Sequence, residues 1–168
     1  MESFKNIEIL DLPDITSLTF KKIHRDYLKV LLGSVCLITL VVIVALFVVN
    51  YNFQEVLPDF ISYVYLGLFL VFILIILFIW IGFSRRKFSI REKDISYKSG
   101  VLIKKTTTVP FSRVQHVELD EAPISRLFKL ASISVFTAGD SSDDLVIKGI
   151  KKTEALKIKE FISEKINE

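Results

Sequence analysis

Two histidines, His24 and His116, and one cysteine, Cys36, are the side chains best suited to nucleophilic or metal chemistry in this 168-residue chain. A zinc site needs a cluster of His, Cys or acidic ligands, and these three residues are scattered along the chain. The lone Cys36 provides no intrachain disulfide framework. Ser84 and Lys87 satisfy a bare Ser-x-x-Lys spacing, the pattern of one class of acyl-enzyme hydrolase. They lack its companion motifs and sit at the mouth of an apolar segment, so the spacing is read as coincidence. The acid pairs Asp120-Glu121 and Asp143-Asp144 lack the spacing of a calcium loop. No Gly-rich phosphate loop is present. The expectation is a protein that is not an enzyme, with no catalytic residue, metal or cofactor.

The remaining polar chemistry is basic. Arg85, Arg86, Lys87, Lys98, Lys104 and Lys105 offer a cationic surface, and beside an anionic leaflet each such charge adds about 1 kcal/mol. The plainer account is that Arg85, Arg86 and Lys87 set membrane topology, and that Lys104-Lys105 charges a sheet edge. Nucleic acid is not an expected partner, because the basic residues lack interleaved aromatics and are balanced by acids.

The elements that position these groups begin with two apolar segments, residues 30–49 and 60–83, neither of which holds a charged residue. A helix needs about 20 apolar residues to cross a hydrocarbon core of roughly 30 Å. A transmembrane helical hairpin is therefore expected, and the lipid bilayer is the first partner. The first segment is too long, and lacks the small-residue exit, for a cleaved signal peptide. The mean hydropathy of +0.49 agrees with a chain that is part membrane and part aqueous. Charge divides the same way: five basic against seven acidic residues before residue 84, and 17 against 12 from there on. The loop 50–59 has no Lys or Arg, whereas Lys21, Lys22, Arg25 and Lys29 flank one segment and Arg85, Arg86 and Lys87 the other. Lys/Arg-rich flanks stay cytoplasmic, so both termini should face the cytoplasm. Tyr27, Tyr51, Tyr63 and Trp80 suit interfacial positions. Gly33, Cys36 and Gly67 are small enough for close helix contact, although no Gly-x-x-x-Gly pattern occurs. With no ionisable group inside either span, a channel or transporter built from this chain alone is not expected.

Residues 1–27 form a cytoplasmic segment with a turn at Leu12-Pro13-Asp14 leading into a short helix, on which Ile15, Leu18 and Lys22 share a face. After the hairpin (28–83) the period changes. Strands are expected at 86–91, 95–99, 101–109, 113–121, 131–138 and 145–149, with a hairpin turn at Ser99-Gly100. The parity of Val114, Val117 and Leu119 implies a bulge. A helical turn occupies 124–130. From Lys152 the spacing of Ala155, Ile158, Phe161, Ile162 and Ile166 is that of an amphipathic helix. The fold class is thus a membrane α-helical hairpin plus a mainly-β cytoplasmic domain (84–168) closed by one helix.

Three runs carry a resemblance: 95–102, Thr107-Thr108-Val109-Pro110, and Ser112-Arg113-Val114-Gln115-His116-Val117. They are followed in order by 123–131 and Val135-Phe136-Thr137-Ala138-Gly139. Together they resemble the bacterial pleckstrin-homology-like membrane proteins of the YdbS-like family, over nearly the whole chain from Tyr27. The resemblance implies a pleckstrin-homology-like barrel or sandwich with a C-terminal helix, tethered to the inner membrane of a bacterium. It further implies a partner, a related multi-domain (YdbT-like) subunit, with a homo-oligomer as the alternative. The family's biochemical activity is poorly defined.

Within the resembling core, Arg113, Gln115, His116 and Arg126 join Lys104 and Lys105 as candidate partner or lipid contacts. Strand parity puts Arg113 and Gln115 on one face and His116 on the other unless the bulge intervenes. A lone strand histidine is more often structural, and Arg126 is placed to pair with Asp120 or Glu121. The leading expectation is a membrane-anchored binding and assembly module. The runner-up is a sensor of anionic lipid or an amphiphile acting through the β domain.

Overall fold

The computed structural model describes residues 19–52, 60–139 and 144–167. In chain order these form β1 (Lys21–Lys22), α1 (Asp26–Asn52), α2 (Phe60–Arg85), β2 (Lys87–Ile90), β3 (Asp94–Ser99) and β4 (Lys105–Pro110). A single 3-10 turn (Phe111–Arg113) leads to β5 (Val114–Asp120), α3 (Pro123–Leu127), β6 (Leu130–Thr137), β7 (Leu145–Lys151) and α4 (Lys152–Asn167). The strands make two antiparallel sheets, ordered β1-β2-β3-β4 and β5-β6-β7. Their inner residues, Ile95 and Val109 from one sheet and Ile133 and Ile147 from the other, belong to one hydrophobic core. Helix α4 closes it with Ala155, Ile158 and Ile162, the stripe its spacing implied.

Helices α1 and α2 have 27 and 26 residues. At roughly 1.5 Å per residue each is about 40 Å long, more than a hydrocarbon core requires. They are two helices long and apolar enough to cross a membrane. Asp26 opens α1 and pairs with Lys29 at 2.8 Å, in the first turn where helix amides favour negative charge. Past Val30 no side chain of α1 is buried.

The first turn of α1 belongs to the β domain. Register pairs Ser132 with Lys148 and Ala131 with Ile150, leaving Gly149 as the extra residue of a bulge in β7. Gly149 has φ +85°, and a Cβ there would lie 2.4 Å from the Tyr27 ring. Its carbonyl accepts the His24 N–H at 2.9 Å. Tyr27 is only 6% exposed, with the Arg86 guanidinium 5.8 Å from its ring centroid. The interfacial position expected for Tyr27 is therefore wrong: its ring fills the notch of a bulged strand. Tyr51, Tyr63 and Trp80 are exposed.

Two further expectations are corrected. Lys22 lies on no helix face: β1 pairs Lys21 with Phe88 and Lys22 with Lys87. The turn at residues 12–14, Ile15 and Leu18 lie outside the described residues. The strand expected over 101–109 starts only at Lys105, because Gly100 (φ +109°) curls the chain so that a Cβ there would meet the Ile103 carbonyl oxygen. Residues 101–103 form a loop, leaving Leu102 and Ile103 84% and 82% exposed.

Candidate functional site

The structure does not gather the six sequence-derived candidates into one site. It splits them into three places. Lys104 and Lys105 stand at the β3–β4 loop and form one wall of a cleft of about 410 Å³. Arg85, at the end of α2, Lys87, the first residue of β2, and Lys98, on β3, complete its cationic lining. Ser84, Ser99 and Thr106 also line it, and no acidic residue does. Strand register explains the clustering. Lys22 lies opposite Lys87, and Lys87 opposite Lys98, so three lysines run across adjacent strands. Directly opposed like charges destabilise a sheet. Lys98 is partly accommodated by the Phe20 ring, 3.9 Å from its ammonium.

The cleft is anchored to α2. Arg85 donates to the Val101 carbonyl at 3.1 Å. Gly82 lies under the Val101 side chain, where a Cβ would come within 3.0 Å of a methyl. Val101 thereby continues an apolar groove along α2 that includes Phe78 and Ile79.

Gln115 and His116 lie elsewhere, at the start of β5, and Arg113 just before them lines, with Lys105, a second open cleft of about 390 Å³ along β4. The bulge implied by the sequence is present, with Val114 opposite Thr137 and His116 opposite Phe136, so that Gln115 is the extra residue. Gln115 and His116 both become exposed while Val114 and Val117 stay buried. Arg113 is in the 3-10 turn and not in the strand; it borders β4 and Thr137. His116 stacks on Phe136 with ring centroids 4.4 Å apart and planes 12° from parallel. Its Nε2 is 3.5 Å from Glu118 Oε1. These contacts give it a structural role. His116→Ala is expected to cost about 0.5–1.5 kcal/mol, read as a small drop in melting temperature of the full chain in detergent. A larger loss would mean that the ring supports more than this surface stack.

Arg126 is exposed on α3 and does not take the expected partners. Glu121 pairs with Lys152 at 2.7 Å, and Asp120 accepts a hydrogen bond from Ser134 at 3.2 Å. Gly33 and Gly67 face away from the α1–α2 contact, since a Cβ on either would meet nothing within 4 Å. Cys36 lines an open apolar groove between the two helices, opposite Phe69 and Phe72. Burial pushes the Tyr97 hydroxyl above its usual range, with the nearby Arg86 charge opposing the shift. Among the described residues no cluster of His, Cys, Asp or Glu could hold a metal ion.

Sequence reasoning missed residues 101–103 as part of this region. The available signal was an apolar triplet between a glycine and a lysine pair, with no alternation to continue the strand.

A membrane-associated two-sheet domain with a closing helix, and a cationic cleft beside an apolar hairpin, define the class. Residues 27–166 match the Bacterial PH domain family, and the chain belongs to that family. It is 28% identical over 138 residues to the UPF0699 transmembrane protein YdbS of Bacillus subtilis (strain 168), covering 80% of this chain and 81% of the relative. A crystal structure of a DUF1696 family protein with a pleckstrin-homology domain, from Shewanella loihica PV-4, aligns with a TM-score of 0.39 at 23% identity. That alignment covers 50% of this chain and 73% of the other.

Proposed function

We propose that this protein is a membrane-anchored binding and assembly module of the bacterial cytoplasmic membrane, without catalytic activity of its own. The hairpin spans the bilayer twice, and both flanks and the β domain lie on the cytoplasmic side. The start of α1 and the end of α2 both meet the β domain, at Gly149 and at Val101, which supports a same-side arrangement. The basic flanks point to the cytoplasm. The partner is a related multi-domain pleckstrin-homology-like (YdbT-like) subunit, with a second copy of this chain as the alternative. One observation carries the assembly reading: Gly33 and Gly67 leave bare backbone on the outer faces of the hairpin, unused within it. Small residues are what closely packed membrane helices use at their contacts. The cationic cleft favours a second reading, in which the β domain also binds anionic lipid.

Purification from native membranes in a gentle detergent, with mass spectrometry, tests the assembly. A stoichiometric multi-span subunit carrying the same β motifs, or a dimer of this chain, is expected. Gly33→Leu with Gly67→Leu should release that subunit without lowering the melting temperature, because both sites are open in the isolated chain. A monomer recovered alone from the wild type would overturn the assembly reading.

A further inference from the structure

We propose that the β3–β4 loop is a wedge dipping into the leaflet next to α2, and that the cleft behind it holds the phosphate of an anionic phospholipid. This rests on the hairpin spanning the bilayer, and is independent of any protein partner. The depth of the loop comes from its contacts. Val101 packs on Gly82, inside the uncharged stretch of the second span, and the Val101 carbonyl takes a hydrogen bond from Arg85 one turn later. The loop is thereby held at the level where α2 leaves the hydrocarbon.

At that level the tip carries two consecutive aliphatic side chains, Leu102 and Ile103, the most exposed large hydrophobics among the described residues. Water would solvate them poorly, and hydrocarbon would not. The loop is also held in shape, since Gly100 adopts a positive φ directly over the Ile103 carbonyl. A preformed apolar tip beside a spanning helix is suited to a bilayer surface.

The cleft lies on the domain side of this tip, at headgroup depth. Arg85, Lys87, Lys98, Lys104 and Lys105 line it, Arg85 on the Val101 carbonyl and the Lys98 ammonium over the Phe20 ring, and no carboxylate among its lining residues balances them. The row Lys22–Lys87–Lys98 places like charges opposite one another across neighbouring strands, and its last two members line the cleft. Such a row is unfavourable by itself and becomes favourable around an anion. Lys104 and Lys105 make no ion pair among the described residues, so their ammonium groups remain to meet a phosphate. The wedge favours a phosphate that arrives on an acyl chain, which selects an anionic phospholipid over a soluble phosphate.

The test uses the full chain in nanodiscs of mixed phosphatidylcholine and phosphatidylglycerol, released into native mass spectrometry. The wild type should retain phosphatidylglycerol in preference to phosphatidylcholine. If each cation contributes about fivefold, Lys98→Gln with Lys104→Gln and Lys105→Gln should lower that preference roughly 100-fold. The melting temperature should stay within a few degrees of wild type, since the lost Lys98–Phe20 contact and the relieved Lys87–Lys98 opposition offset one another. A tryptophan introduced as Leu102→Trp in a Trp80→Phe background should be quenched by lipids brominated on their acyl chains. Equal retention of the two lipids by the wild type, an unchanged preference in the triple variant, or no quenching at residue 102 would overturn the proposal. Displacement of the lipid by inorganic phosphate alone would also overturn it, because the site would then take a soluble anion. Release of the wild type from native membranes by alkaline carbonate would instead overturn the spanning hairpin on which the proposal rests.

Discussion

Gly149→Ala is expected to lower the melting temperature of the full chain in detergent by on the order of 5–15 °C. Two effects add. An alanine at φ +85° is strained by about 1 kcal/mol. Its methyl would also overlap the Tyr27 ring, at 2.4–2.7 Å from three ring and Cβ atoms, and overpacking of this kind costs about 1–3 kcal/mol. The ring has little room to retreat, because Tyr27 is buried and covered by Arg86. Tyr27→Ala, which leaves a cavity, should cost about 3–5 kcal/mol by analogy with other large-to-small aromatic changes. The informative measurement is the double variant. Once the ring is gone, Gly149→Ala should cost only the backbone strain, so the two losses should fall well short of adding. Full additivity, or a melting temperature within a few degrees of wild type for Gly149→Ala, would mean that Tyr27 does not dock in the bulge.

That docking shows where the sequence could be read and where it could not. The apolar spans, the Pro110 strand end, the β5 bulge and the α4 stripe are local patterns, written in period and in residue type. Tyr27 and Lys21-Lys22 are different. A tyrosine before an apolar segment looks interfacial, and two lysines there look like topology signals. Their actual places are set by pairing with residues more than 60 positions away, Phe88 and Gly149 among them. Gly149 itself reads as an ordinary strand glycine until the register slip between β6 and β7 is known. The candidate site follows the same division. Lys104 and Lys105 were visible as charges, but their convergence with Arg85, Lys87 and Lys98 depends on the cross-strand register and on the Gly82–Val101 contact. His116 drew attention for its residue type, and its stack on Phe136 gives it an ordinary structural task. Leu102 and Ile103 were hidden because an apolar run after a Ser-Gly turn continues a strand in any pattern-based reading.

The second large effect concerns the division of the chain after residue 83. A fragment of residues 84–168 holds β2–β7 and α4 but loses Ile23, Tyr27 and Val30, which are 4%, 6% and 7% exposed in the whole protein. Burying an apolar side chain of this size stabilises by about 1.5–3 kcal/mol. The three together therefore contribute about 5–9 kcal/mol, against the roughly 5–15 kcal/mol that holds a typical domain. The fragment also loses β1, which exposes the Lys87–Phe88 edge of its sheet. It is expected to retain strand content but to lack a cooperative thermal transition, with a poorly dispersed amide NMR spectrum. Joining residue 31 to residue 83 through a flexible Gly/Ser linker restores the three side chains and β1 without the apolar spans, and should bring cooperative unfolding back. A cooperative transition from the bare fragment near that of the full chain would show that the first helical turn is dispensable to the core. The expected result has a functional consequence. A domain whose core includes the first turn of a long apolar helix cannot pivot freely on a linker. Its β3–β4 loop keeps one position relative to α1, so that on the proposed reading a partner or lipid bound to the β domain would act directly on the orientation of α1.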